Sequence, residues 1–173
     1  GAHGDEVGAA DARLLEARSL EALPGLDADA YLVDGDHNHY TVLRESQLID
    51  ANAERSGTPL LVFYHDVCWP WARRDLYYDP KGLPSGAVHP HSWDRGVTLG
   101  RGDLIEGGFR GDGAWACALA EGGERNGVLT AIEDFVGARS DLVWAMIPAV
   151  FGLGVLFSRD APWAEELGHF LAP

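Results

Sequence analysis

Lysine is almost absent from this 173-residue sequence, and Lys81 is the only one. The 13 basic residues are outnumbered by 27 acidic ones, which gives a net charge of −14 at pH 7. Proteins that bind nucleic acids or anionic membranes rely on clustered Lys and Arg, so this charge balance argues against both kinds of partner. The only basic doublet is Arg73-Arg74, and two charges are too few for a nucleic-acid footprint.

Long apolar runs and paired cysteines are also missing. The longest apolar stretch, 143–157, is interrupted by Pro148 and two glycines and is too short to span a bilayer. No secretory leader is visible, so we predict a cytoplasmic protein. Cys68 and Cys117 do not form a C-x-x-C pair. They are interpreted as two reduced thiols, with a disulfide as the alternative.

The first half of the chain has the pattern of a β-strand, an α-helix and a second β-strand. A short apolar run over 12–17 also predicts a strand, and 30–33 and 60–64 predict two more. Runs too short for a helix that stop at polar residues are typical of strands buried on both faces. The segment 38–56 has helical spacing and is closed by Gly57. Strand, helix and strand in this order predict a βαβ unit with parallel strands.

The second half begins with a long stretch that lacks regular periodicity. Residues 67–113 are rich in Pro, Gly, Trp, Tyr and Arg, which favours a substrate-covering loop or lid. A helix is predicted after Asn126-Gly127, followed by an antiparallel hairpin and a final helix. With 46% hydrophobic residues, we predict one domain over 1–173. Its parts are the βαβ core with the site, the loop or lid, and the helices with the hairpin, at 11–66, 67–113 and 114–173.

Polar side chains follow both strands of the predicted βαβ unit. Asp34, Asp36 and His37 come after the first strand, and His65 and Asp66 end the second. Parallel neighbours lie about 5 Å apart and present their carboxyl ends at one edge, where ligands bind. Carboxylates with imidazoles suit a divalent ion such as Mg²⁺, Mn²⁺ or Fe²⁺, or general acid–base catalysis. The alternative is that they only form turns, and Asp36 in particular can cap the helix that follows.

An aromatic and basic stretch, WPWARRDLYYDP over 69–80, directly follows the second cluster. Aromatic walls and forked guanidinium groups fit a pocket for a ring-containing or acidic ligand. For Trp71 and Tyr78 a small core that anchors the loop is an equal alternative. The glycine-rich run 122–127 is a weak phosphate loop because no strand precedes it. The predicted substrate-binding residues are Tyr40, Trp69, Arg73, Arg74 and Tyr77.

Three runs, DAYLVDGDHNHYTV, LVFYHDVCWPWARRDLYYDP and EGGERNGVLTAIEDF, resemble class I S-adenosylmethionine-dependent methyltransferases. The similar branch is the bacterial one near macrocin O-methyltransferases and cephalosporin-hydroxylase-like proteins, from about Asp11 onward. The resemblance implies a Rossmann-like, mostly parallel sheet with helices on both faces and a C-terminal antiparallel hairpin. It implies Asp34 and Asp66 as metal ligands, His65 as a further ligand and His37, with Asp36, in the catalytic role.

The cofactor half of such an enzyme is not recognisable in the sequence. Residues 1–10 are too short for the roughly 30-residue βαβ unit that carries the glycine-rich turn, and Gly4 and Gly8 do not form that turn. We therefore expect a truncated methyltransferase-type sheet, either as a fragment, or completed by another chain, or as a short relative. A divalent metal is the expected cofactor, while the strands that would bind S-adenosylmethionine are missing.

The sequence thus predicts a methyltransferase-like protein for metal-assisted O-methylation of a small metabolite, or a descendant of such an enzyme. Two other functions stay open: a metal-dependent natural-product enzyme that does not use S-adenosylmethionine, and a non-catalytic ligand-binding module. A sheet without its first strands has an open edge, and open edges are normally covered. We therefore expect a homodimer or a partner chain at that edge.

Overall fold

The structure, a computed structural model, describes residues 12–137 and 139–172. The prediction about a cofactor-binding turn in 1–10 lies outside the described residues. Within them the chain forms a mixed α/β fold of four α-helices and nine short strands. The helices are α1 (Ser19–Ala22), α2 (His39–Ser56), α3 (Val128–Val136) and α4 (Ala164–Leu171). The strands are β1 (Tyr31–Val33), β2 (Leu61–His65), β3 (Leu76–Tyr77), β4 (His91–Ser92), β5 (Arg95–Gly96), β6 (Ile105–Glu106), β7 (Ala116–Ala118), β8 (Leu142–Ile147) and β9 (Leu153–Ser158).

The predicted βαβ unit is confirmed. Strands β1 and β2 pair in parallel, with Val33 opposite Tyr64, and α2 connects them. The Asn38 side chain caps α2 by accepting a hydrogen bond from the Thr41 backbone amide at 2.9 Å. Gly57 ends the helix with φ of 70°, a left-handed conformation that costs glycine nothing.

The main sheet is mixed and only partly parallel, so the prediction of a mostly parallel sheet with a C-terminal antiparallel hairpin is confirmed in part. Its order is β1-β2-β9-β8, and β9 runs antiparallel to both of its neighbours. The reason is that β8 and β9 form the expected hairpin, and β9 inserts beside β2. The only neighbouring strands of this sheet that pair in parallel are β1 and β2. Strand β8 runs in the same direction as both, because it is antiparallel to β9 and β9 is antiparallel to β2.

Helices cover both faces of the main sheet, as the sequence predicted. Alternate residues of a strand point to opposite faces, and Leu156 packs in a core cluster with Ile49 of α2 and Ile132 of α3. Its neighbours in β9, Val155 and Phe157, belong to a second cluster with Ala164 of α4 and with Ala161. The sheet is therefore the middle layer of three.

Two strand predictions near the start of the chain are corrected. Residues 12–17 form no strand, and the Leu14 side chain is 94% exposed, because no described strand lies beside this segment to accept its backbone hydrogen bonds. Strand β1 is not buried on both faces, since Leu32 is 68% exposed. It lies at the end of the sheet order, where a side chain has a neighbouring strand on one side only.

The predicted loop over 67–113 contains short pieces of strand. Strands β3, β7 and β4 form a three-stranded sheet, and β5 pairs with β6. Both cysteines are free thiols, with Cys117 buried in β7. Among the described residues, no helix combines the length and the apolar character that a membrane crossing requires.

Candidate metal centre

Four side chains meet where β1 and β2 end. Because Val33 and Tyr64 are opposite each other in parallel strands, Asp34 and His65 follow at the same edge of the sheet. Two further residues complete the cluster: Asp66 directly follows β2, and His37 lies three residues after Asp34, shortly before α2. Asp34, His37, His65 and Asp66 each bring one potential ligand atom to within 4.8 Å of the others.

The ligand atoms alternate between carboxylate oxygen and imidazole nitrogen. Nε2 of His37 lies 2.7 Å from Oδ2 of Asp66 and 3.6 Å from Oδ1 of Asp34. Nδ1 of His65 lies 3.2 Å from Oδ1 of Asp34 and 3.5 Å from Oδ2 of Asp66. Donors bound at about 2.0–2.2 Å to one ion are separated by roughly 3–3.5 Å, so these spacings fit a single metal ion.

The hydrogen bonding of the cluster supports the same interpretation. Nε2 of His37 and Nδ1 of His65 are buried and lie near carboxylate oxygens, but neither forms a hydrogen bond of normal geometry. Nδ1 of His37 and Oδ1 of Asp66 are buried without a hydrogen-bond partner among the described residues. Buried polar atoms are normally paired because leaving one unpaired costs about 1–3 kcal/mol. A metal ion between the two carboxylates would satisfy His37 Nε2 and His65 Nδ1, and the predicted divalent-metal site is compatible with the structure.

The electrostatics of His37 are dominated by opposing effects. Burial alone lowers the pKa of His37, but contact with the carboxylates of Asp66 and Asp34 outweighs it and holds the pKa above the usual histidine value. For Tyr78 the effects act in the same direction. Burial raises the pKa of its hydroxyl, and the carboxylates of Asp36, Asp66 and Asp34 raise it further. The cluster is thus a concentrated negative field that favours a cation.

Asp66 has a backbone conformation that indicates a constrained position. Its φ is 60°, in the left-handed region that residues other than glycine seldom adopt. Such conformations cost of order 1–3 kcal/mol and concentrate at functional sites. This turn directs the Asp66 side chain back toward His37 instead of away from the sheet edge.

A cavity of about 220 Å³ opens above the four ligand residues. Its walls are mainly aromatic, and the Phe151 ring stacks on Phe109 with 6.4 Å between centroids while its edge meets His65 at 6.2 Å. The Trp71 and Trp115 rings meet edge-to-face at 5.2 Å. Apolar walls beside converging polar groups are typical of small-molecule sites. The cavity wall consists of Trp71, Leu76, Tyr78, Phe109, Trp115 and Phe151.

The structure does not place the predicted arginines in this cavity. The guanidinium of Arg73 forms a forked ion pair with Glu133 of α3, at 2.7 Å for one of its two bonds. Arg74 is buried and donates to backbone oxygens, including Leu119 O at 3.0 Å. A buried charge needs such partners, so both arginines hold the loop in place. Neither lines this cavity, and their role in substrate binding stays a prediction.

Three of the aromatic residues predicted to bind substrate, Tyr77, Trp69 and Tyr40, also lie outside the lining of this cavity. The Tyr77 hydroxyl donates to Asp75 at 2.7 Å and is fully buried. Trp69 packs beside Phe109 at 6.5 Å, outside the lining of the cavity. Tyr40 borders a separate small cavity of about 130 Å³. The sequence does not show which aromatic side chains of this irregular stretch face the cavity, so residues outside its lining were chosen.

Asp36 lies outside the group of four. Its carboxylate accepts a hydrogen bond from the Thr41 hydroxyl at 3.0 Å in the first turn of α2, and burial raises its pKa. This is the contact expected of the helix-start alternative, although Asn38 is the capping residue itself. His37, predicted as a base, is close enough to join the ligands.

The residues that sequence reasoning missed are the distant members of the wall. Phe109, Trp115 and Phe151 carry no local signal, because they come from the long loop and from the β8–β9 turn. Trp71 and Tyr78 were named as loop-core candidates, and both face the cavity. No protein-family model, no curated protein and no solved structure matches this chain.

Proposed function

We propose that this protein is a metal-dependent enzyme in which Asp34, His37, His65 and Asp66 hold one divalent ion beneath an aromatic substrate cavity. The observation that carries the proposal is the convergence of four ligand atoms within 4.8 Å, several of them buried and unpaired. His37 then acts as a fourth ligand, because its Nε2 is as close to both carboxylates as His65 Nδ1 is.

The donor set also narrows the choice of metal. Mg²⁺ prefers an octahedron of oxygen ligands and keeps several waters, whereas imidazoles are better suited to Mn²⁺, Fe²⁺, Co²⁺ or Zn²⁺. Two imidazoles among four ligands therefore favour a transition metal over Mg²⁺. Two carboxylates balance the charge of a divalent ion, so the occupied centre is close to neutral.

The reaction that we propose is metal-assisted O-methylation of a small metabolite, following the resemblance to class I methyltransferases. The order of the elements supports it, since that family has a parallel pair of strands with the metal ligands at their ends and a final antiparallel strand. A bound divalent ion lowers the pKa of a coordinated hydroxyl. The aromatic wall would orient the substrate ring over the ligands and limit the access of water.

Among the described residues we assign no binding site for S-adenosylmethionine. No described strand precedes β1 with a glycine-rich turn, and 12–17 has no strand structure. The two imidazole ligands favour a second candidate function, which is a metal-dependent reaction of another class that needs no methyl donor. A non-catalytic ligand-binding module is the third candidate.

Calorimetry on the chelator-treated protein tests the metal centre. We expect one Mn²⁺ or Zn²⁺ per chain, with weaker binding of Mg²⁺, and a loss of at least about 100-fold in affinity for Asp34→Asn and Asp66→Asn. Asp103→Asn is the matched control, because Asp103 is exposed and pairs only with Arg101. Wild-type metal affinity in both site variants would overturn the proposal.

Titration with S-adenosylmethionine, on metal-loaded protein, separates the reaction classes. Binding below millimolar concentration supports methyl transfer. Metal binding without detectable binding of S-adenosylmethionine removes methyl transfer and leaves the second candidate. Absence of both metal and cofactor binding would leave only the ligand-binding module.

A further inference from the structure

A second, larger cavity lies next to the metal site. It measures about 390 Å³, and its walls come from the turn after β3 and from β4 with the residue that follows it. Tyr78 lines this cavity and also the one above the four ligands, so the two cavities adjoin at this side chain. We call it the distal cavity; its lining residues are Tyr78, Asp79, Pro80, Lys81, Val88, His91 and Trp93.

The walls of the distal cavity suit a flat apolar group. Trp93 and Tyr78 supply aromatic surface, and Pro80 and Val88 add aliphatic surface. Trp93 is held edge-on to His91, with 6.4 Å between the ring centroids. Flat rings pack well against such surfaces, and each aromatic contact contributes about 0.5–1.5 kcal/mol beyond burial.

The distal cavity also contains the only lysine of the chain. The ion pairs of the described residues leave Lys81 without a carboxylate partner. The one acidic residue in the lining, Asp79, is instead bound by Arg18 at 2.8 Å. In a protein of net charge −14, the Lys81 ammonium group beside an aromatic wall offers a local positive charge that an anionic group of a ligand could meet.

His91 adds a second polar group with a defined orientation. Its Nδ1 lies 2.9 Å from the carbonyl oxygen of His89. A carbonyl oxygen only accepts hydrogen bonds, so Nδ1 carries the proton. In this tautomer Nε2 is the acceptor nitrogen of the ring.

We propose that the distal cavity binds a flat apolar ring that bears an anionic group, with the ring on Trp93 and Tyr78 and the anion at Lys81. This inference rests on the proposed function only in taking that ring to be the far end of the substrate whose near end lies at the metal. The ligand would pass Tyr78, which lines both cavities and is 51% exposed.

The single lysine makes the test direct. Reductive methylation with ¹³C-formaldehyde labels only Lys81 and the terminal α-amine and keeps the charge of the lysine. The probe is 2-naphthoate, and its uncharged amide, 2-naphthamide, has the same ring. We expect 2-naphthoate to shift the Lys81 methyl signal saturably, with a Kd on the order of 1 mM for a ligand of this size. The amide should bind about two- to fivefold more weakly, as expected for loss of an exposed ion pair.

Variants then assign the interaction and separate it from the metal centre. Lys81→Gln should weaken 2-naphthoate binding in ligand-observed NMR to the level of the amide, whereas Arg44→Gln, an exposed arginine of α2 bonded to Gln47, should leave it unchanged. Asp34→Asn should abolish metal binding and retain 2-naphthoate binding. No shift of the Lys81 signal at about 10 mM probe, or equal affinity for acid and amide, would overturn the inference whatever the metal result.

Discussion

At the scale of single residues, Glu45 is the most unusual group outside the metal centre. It is 3% exposed in the middle of α2, and its Oε2 has no partner among the described residues. Burial raises the pKa of Glu45 to about 7, while a hydrogen bond with Ser19 opposes the shift and the nearby Asp36 carboxylate adds to it. The carboxyl is therefore protonated in the folded state over a pH range in which it is ionised in the unfolded chain.

Glu45→Gln should stabilise the protein at alkaline pH. Because the folded state holds its proton more tightly, the wild-type free energy of unfolding falls as pH rises from about 4.5 to about 7 and stays low above that. An amide removes this penalty, so we expect a gain of up to ~3 kcal/mol at pH 8, at 1.36 kcal/mol per pKa unit. Near pH 4 the two proteins should be equally stable in urea unfolding.

Glu54→Gln is the matched control for this measurement. Glu54 is exposed on the same helix, so its replacement should change stability by less than about 0.5 kcal/mol at either pH. A Glu45→Gln effect that is the same at pH 4 and pH 8 would contradict the assignment of a buried, protonated carboxyl.

At the scale of elements, the starts of α2 and α3 are joined by one buried carboxylate. Asp75 is fully buried and accepts hydrogen bonds from the His39 amide at 2.8 Å and the Gly127 amide at 2.6 Å. The first turn of α3 also donates to the loop, from Val128 N to Trp71 O at 2.9 Å. The loop that carries Trp71 and Tyr78 is therefore fixed by the amides that a helix start leaves unpaired.

Gly127→Ala should loosen this junction, and Gly123→Ala supplies a matched comparison. Both glycines have a positive φ, 95° and 86°, so both substitutions carry a conformational cost of about 1–2 kcal/mol. Only at Gly127 would the new methyl group also meet backbone, 2.5 Å from Ala72 O and from Arg74 N. We expect a further loss of about 1–3 kcal/mol there.

The readout is the difference between the two variants in thermal or urea unfolding, together with metal affinity. Gly127→Ala should also weaken metal-dependent ligand binding, because Trp71 lines the cavity. Equal destabilisation by the two substitutions would show that contact with the loop backbone does not matter.

At the scale of the whole molecule, β1 is the open edge of the main sheet. Its described pairing is with β2 alone, and it presents Leu32 with 68% of its surface exposed. Exposed edge strands with apolar side chains are normally covered. We predicted from the sequence that a second copy of the chain, or a partner chain, covers this edge, and this stays a prediction.

Light scattering tests this prediction with Leu32→Glu. We expect the wild-type protein to have about twice the chain mass of 18.7 kDa, and the variant to approach the mass of one chain. Leu99→Glu, which changes an exposed leucine in the loop between β5 and β6, should leave the mass unchanged. A wild-type protein that is monomeric at high concentration would contradict the prediction.

The sequence by itself determined the parts of this protein that depend on neighbours along the chain. The periodicity of α2 and its Gly57 end are local, and two short apolar runs were enough to predict the parallel pair β1 and β2. From that pair the meeting of Asp34 with His65 followed, because parallel strands bring their carboxyl ends to one edge. The sequence offered Asp36 as the cap of α2, whereas the structure has Asn38 in that role.

Only the tertiary structure decided which distant side chains complete the site and how the sheet is ordered. The short hairpin fixes the direction of β9 relative to β8 only, and the placement of β9 beside β2, antiparallel to it, is decided by the tertiary structure. Arg73 and Arg74 do not line the cavity, because their guanidinium groups need oxygen partners. Glu133 provides these for Arg73, and the Ala118 carbonyl of β7 does so for Arg74. Phe109, Trp115 and Phe151 come from separate segments and line the same cavity as the four candidate ligand residues. The sequence shows no sign of this, since such packing depends on proximity in space and leaves no periodicity.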